Sequence, residues 1–182
     1  MLTITIKGRE AYNPKTKEFV QIKDTFLSLE HSLVSISKWE AKWHKPFISK
    51  EEKTRDETID YIKCMTITQN VDSNVYMLLT RYNLKEIQDY IANPMTATWF
   101  NEEGQPKGKK SSEQITSELI YYWMVAAQIP FECQKWHLNR LLTLIRIYNI
   151  KNQPDKKMSK KETMSRNAAL NAARKKKLGT SG

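Results

Sequence analysis

Glycine is scarce in this sequence, five residues in 182, and no two are spaced as a phosphate-cradling loop requires. Dinucleotide-binding and P-loop chemistry are therefore excluded at the outset. Cysteine is scarcer: Cys64 and Cys133 are too few for a disulfide framework and, beside seven methionines, fit a reducing cytoplasm. No serine sits in a nucleophile-elbow pattern. No run approaches the ~18 apolar residues of a membrane span, and the first residues carry no long apolar stretch. A non-membrane, non-secreted protein of the cytoplasm is expected.

Acidic residues are missing from one end. From Lys151 onward ten Lys and Arg face only Asp155 and Glu162, a net charge of +8. The first 150 residues carry 20 cations against 18 acids, a net +2. The pI of 9.5 thus describes the tail, and binding of nucleic acid by the whole protein does not follow from it. Every Trp and Tyr lies before the tail. An aromatic-rich core with a basic appendage is the division these counts imply.

The leading 27 residues alternate in the manner of strands. "LTITIKG" sets Leu2, Ile4 and Ile6 on one face, "EFVQIK" runs from Phe19 or Val20 toward Ile22, and "YNPKTK" between them is a turn. A β-hairpin follows, with a third strand near Thr25–Leu27. The period then becomes helical through Leu29, Leu33, Ile36 and Trp43, capped by Ser28 and stopped by Pro46. Capping boxes at Ser49/Glu52 and Thr54/Glu57 introduce a helix with Ile59, Ile62 and either Tyr61 or Met65 inward. Asp72 caps a short helix, and Asn83 with Glu86 opens another that ends at Asn93-Pro94.

"PMTATWF" is β-prone, and "NEEGQPKGKK" reads as an exposed loop. Ser111 with Gln114 opens a helix lined by Ile115, Leu119, Tyr122 and Trp123. Pro130 begins one continuing through Trp136, Leu141 or Leu142, Ile145 and Tyr148. After the linker "KNQPDKKMSK", Ser159 and Glu162 cap a last helix from about Lys160 to Leu178, stopped by Gly179. Its alanines favour helix, yet it lacks an apolar stripe and is expected to order fully against something else. The fold class expected is mainly α (α+β): a helical domain over 1–150 with a small N-terminal β-hairpin (1–27), and a basic linker and helical tail over 151–182.

Candidate chemistry is sparse. Cys133 and His137 are four apart, but zinc wants four ligands, or three and a water, so a buried thiol and a hydrogen-bonded His is the simpler reading. Glu51, Glu52, Asp56, Glu57 and Asp60 alternate with Lys50, Lys53 and Arg55, the pattern of a solvated helix face rather than an acid–base pair. Trp39 and Trp43, at i and i+4, are core in the ordinary case, with one of them a possible interface anchor. No cofactor, metal or catalytic residue is expected.

The tail is different. Asn167, Asn171 and Arg174 stack at i, i+4 and i+7, followed by Lys175, Lys176 and Lys177. Such a helix can lie on nucleic acid through phosphate contacts or dock on an acidic protein. The expected partner contacts are Arg166, Asn167, Asn171, Arg174, Lys175, Lys176 and Lys177, with Trp39 and Trp43 second.

The segments "LEHSLVSISKWEAKWHKPF", "PMTATWF", "IPFECQKWHLNRLLTLIRIYNIKN" and "MSRNAALNAARKKKLGTSG" together resemble a family of small proteins from the tail-gene region of siphophage-like tailed bacteriophages. The resemblance runs over nearly the whole chain. It implies a non-enzymatic tail-assembly chaperone, active in the host bacterial cytoplasm, that coats the tape-measure protein until the tail tube forms around it. The N-terminal hairpin departs from that pattern and leaves room for a virion structural role at the neck or tail. Nucleic acid is the third partner class, and self-association is compatible with all three.

Overall fold

A computed structural model describes residues 1–13, 17–100, 114–152 and 160–179. The chain forms two compact units, Met1–Tyr148 and Asn149–Gly182. It is mainly α with some β, an α+β chain.

The first unit opens with four strands in two antiparallel pairs. β1 (Leu2–Ile6) pairs with β4 (Thr25–Leu29), and β2 (Glu10–Asn13) pairs with β3 (Glu18–Gln21). The alternation of β1 is as expected, with Ile4 and Ile6 buried and Leu2 half-buried. The expected pairing is not: "LTITI" and "EFVQ" are in different sheets. The hairpin is β2–β3, and Tyr12 and Asn13, read as part of the turn, are strand residues. The third strand exists and is longer than expected, reaching Leu29, which pairs with Leu2 instead of starting a helix. Gly8 permits the crossing between the sheets, because a Cβ there would lie 2.4 Å from the Ile22 carbonyl oxygen. β4 continues its ladder on its other edge, where Ile67 N–H donates to Ser28 O (2.8 Å) and Glu30 N–H to Met65 O (2.9 Å). That edge is thereby paired over Ser28–Glu30.

α1 (Leu33–Trp43) is capped by Ser32, whose hydroxyl accepts from Ser35 N–H, and not by Ser28. It ends where His44 takes a left-handed conformation (φ 52°). α2 (Arg55–Met65) begins with the expected Thr54/Glu57 capping box, whereas Ser49 and Glu52 lie in turn and irregular backbone. Tyr61, Ile62 and Met65 face inward and Ile59 is half-buried. Asp72 caps a 3-10 turn (Ser73–Leu78). α3 (Arg81–Ala92) is capped by Thr80, three residues before the expected start at Asn83, which instead completes the capping box from the N3 position. "PMTATWF" forms no strand.

α4 (Ser117–Ala126) is capped by Thr116; the expected cap Ser111 and the "NEEGQPKGKK" loop lie outside the described residues. Its buried side is Ser117, Ile120 and Met124, so the face expected through Ile115 and Tyr122 is wrong. Pro130 leads into a 3-10 turn (Phe131–Lys135) rather than one long helix, and α5 (Leu138–Lys151) follows, burying Leu138, Leu141 and Ile145. The break at Trp136-His137 lets His137 form an isolated bridge with Ser32. Among the described residues every buried side chain lies between Ile4 and Ile145, so the core belongs to the first unit.

The second unit contains α6 (Lys160–Leu178), where the sequence placed it, with Gly179 at φ 65° terminating it. Ser159, its expected cap, lies outside the described residues.

Candidate partner-binding surfaces

Most of the polar chemistry in the body is turned inward and used for structure. Glu40 of α1 is buried, and its two carboxylate oxygens accept from Phe47 N–H and Ser117 N–H, each at 2.7 Å. This one side chain ties the α1 exit to the start of α4. Glu57, read from the sequence as part of a solvated face, is buried instead. It accepts from Lys45 Nζ at 2.7 Å and from Thr54 N–H at 2.8 Å, and these bonds, Lys45 foremost, hold its carboxyl below the usual range. Asp60 of the same cluster pairs with Lys42 and, at 3.6 Å, with Lys63.

Two histidines meet between β4 and the start of α5. His31 and His137 are buried, with ring centroids 5.0 Å apart. His31 Nδ1 lies 2.5 Å from the Tyr61 hydroxyl, and burial, reinforced by His137, pushes the His31 pKa down to about 3. Asn139 N–H donates to His137 Nδ1 (3.3 Å), so the proton sits on Nε2, which donates to Tyr90 O (3.0 Å). His137 is thus hydrogen-bonded and Cys133 buried, as the simpler sequence reading had it. Among the described residues no group of three or more His, Cys, Asp or Glu is placed to hold a metal ion. A cleft of about 260 Å³ lies beside His137, lined by Glu30, Tyr90, Trp136 and Arg140 among others. Its carboxylate is already engaged by the Tyr90 hydroxyl at 2.5 Å and the Met1 amine at 2.9 Å.

The two tryptophans divide. Trp39 is 1% exposed and donates its Nε1–H to Glu57 O at 2.8 Å, which makes it a core residue with no surface for a partner. Trp43 is half-buried, stacked against Trp39 at 6.3 Å, with Lys42 Nζ 5.7 Å from its ring centroid. Of this pair only Trp43 can reach a partner.

Among the described residues several large apolar side chains are exposed, Phe19, Phe26, Tyr82 and Trp99 included, and two helical surfaces stand open with them. One is the outer side of α4 and the turn after it, where Tyr122, Val125 and Phe131 are 66%, 59% and 55% exposed. A helix as apolar around its circumference as "SELIYYWMVA" is ordinarily covered on all sides. The sequence reading missed this surface by turning Tyr122 inward; the signal was the lack of any polar stripe on α4. The other is α6, in which every described side chain from Thr163 to Leu178 is exposed. The expected contacts Arg166, Asn167, Asn171, Arg174, Lys175, Lys176 and Lys177 all lie on it. No family model, curated protein or solved structure matches this chain. The geometry of the two surfaces therefore carries the functional argument. Among the described residues no helix is long and apolar enough to cross a membrane.

Proposed function

We propose that this protein is a non-enzymatic tail-assembly chaperone of a tailed phage, which holds the tape-measure protein before the tube closes around it. The observation that supports this reading is the uncovered apolar side of α4, with Tyr122, Val125 and Phe131 open to a partner. Aromatic side chains of this kind anchor protein interfaces, because they bury much area at little entropic cost. A client that is itself a long helical chain offers matching apolar faces. Trp43 is a further anchor, and the cations of α6 (Arg166, Arg174 and Lys175 through Lys177) act at long range, steering the encounter rather than docking. Complementary charge on such an arm raises the rate of encounter more than it tightens the complex.

The test is co-expression with the tape-measure protein followed by affinity capture. Replacing Tyr122, Val125 and Phe131 by Ser should abolish capture without unfolding the body, because all three side chains are exposed. A chain ending at Asn152 should stay folded, since the core ends at Ile145, and should capture more slowly. Undiminished capture by both variants refutes the chaperone reading. Stoichiometric presence in purified virions, measured by mass spectrometry, replaces it with a neck or tail structural role.

A further inference from the structure

α6 carries its cations in an arrangement that a flat partner cannot use. Successive helical residues are rotated by about 100°. Arg174, Lys175, Lys176 and Lys177 are consecutive and all exposed, so their four charges are spaced around the whole circumference of the last turn. A helix lying on a protein face or a lipid surface brings two neighbouring charges of such a ring into contact and leaves the opposite two in water. A partner that meets the helix on both flanks can engage charges on opposite sides of it. The helix also lacks the apolar stripe by which helices seat in protein grooves; its large apolar residues Met164, Leu170 and Leu178 are isolated among Asn, Ala and cations.

We infer that α6 is a duplex-DNA-binding helix, which enters the major groove with the ring at Arg174–Lys177 reaching phosphates on both walls. The dimensions agree. A helix with its side chains is about 10–12 Å across, and the major groove is about 12 Å wide and walled by phosphates. At 19 residues the helix is about 28 Å long, enough to cross the groove with residues to spare. Asn167, Asn171 and Arg174, at i, i+4 and i+7, form one line along its length and would face the groove floor, where Asn pairs with adenine and Arg with guanine. The inference goes beyond the chaperone reading and does not rest on it: it concerns the arm's own chemistry, whichever protein the body carries.

The test uses the full chain and a fluorescein-labelled duplex of about 24 base pairs, followed by anisotropy from about 50 to about 200 mM salt. With Arg166, Lys175 and Lys177 each neutralising one phosphate, the logarithmic salt slope should be about −2.7, a loss of affinity of about 40-fold over that range. The decisive comparison is among four single variants, Arg174→Gln, Lys175→Gln, Lys176→Gln and Lys177→Gln, with circular dichroism confirming an unchanged body. Lys175→Gln and Lys177→Gln should each reduce the slope by about 0.9, because they reach opposite walls, whereas Arg174→Gln, on the floor, and Lys176→Gln, facing away from it, should leave the slope nearly unchanged. A loss confined to two neighbours in the ring overturns the inference in favour of a flat surface. So does poly-L-glutamate displacing the duplex at equal charge concentration, which assigns the arm to an acidic protein. Failure to bind duplex at the lowest salt, or equal binding of single strands, overturns it as well. None of these results bears on capture through Tyr122, Val125 and Phe131.

Discussion

Lowering the pH from 7.5 to 5 should cost this fold about 2 kcal/mol through a single side chain, His31. In the unfolded chain its imidazole titrates near 6.5; in the fold burial, with His137 alongside, moves the pKa to about 3. Between those values the unfolded state binds a proton that the folded state refuses, so stability falls as pH falls. The contribution is complete above pH 6.5, is reduced by about 2 kcal/mol at pH 5, and would be lost by about 5 kcal/mol at the acid extreme. The groups around the ring give it no relief: α2 presents the neutral Tyr61 hydroxyl, Phe47 packs at 6.3 Å, and His137 offers a second base whose own pKa is lowered by burial. His137 acts with the same sign and steepens the trend. For a domain of this size the change corresponds to a Tm about 4–8 °C lower at pH 5 than at neutrality. Melting followed by circular dichroism at half-unit pH steps measures it. His31→Gln, whose neutral amide can still meet the Tyr61 hydroxyl, should flatten most of the slope between pH 6.5 and 5. An unchanged slope in that variant would show that His31 is not the group responsible. Glu57 and Asp60, both with lowered pKa, add their own losses only at lower pH, as the carboxylates themselves protonate.

Other consequences can be checked in the same melts. Trp39→Ala should destabilise the body by about 3–5 kcal/mol, since it empties a fully buried indole site and removes the indole hydrogen bond to the Glu57 carbonyl. Thr54→Ala removes the α2 cap and should cost about 1 kcal/mol in urea unfolding. Gly8→Ala should cost about 1–3 kcal/mol, because the new Cβ meets the backbone at Ile22–Asp24 and neither strand pair can shift freely. Truncation after Asn152 should leave the Tm of the body within about 1 °C of the full chain, since no buried side chain is removed.

What the sequence determined alone was local. Thr54 with Glu57, Asp72, and Gly179 at the end of α6 are capping and stop signals whose chemistry acts within four residues, and each stands where the pattern put it. The alternation of Leu2, Ile4 and Ile6 likewise fixed which face of β1 is buried. The exposed character of α6 followed from its lack of an apolar stripe.

The tertiary structure decided whatever depends on a distant partner. β1 could not reveal that it pairs with β4 across residues 10–21, because strand pairing is a non-local choice that alternation alone does not encode. "PMTATWF" has strand propensity but pairs with no strand among the described residues, and propensity without a partner leaves the backbone irregular. Glu57 is buried because Lys45, twelve residues away, arrives to neutralise it. α4 is apolar all round, so periodicity was silent on which side packs; α1, through Glu40 and the core behind it, turned Ile120 and Met124 inward and left Tyr122 outside. The surface proposed to bind a partner is therefore a product of packing: it is the side of α4 that the core had no room to cover.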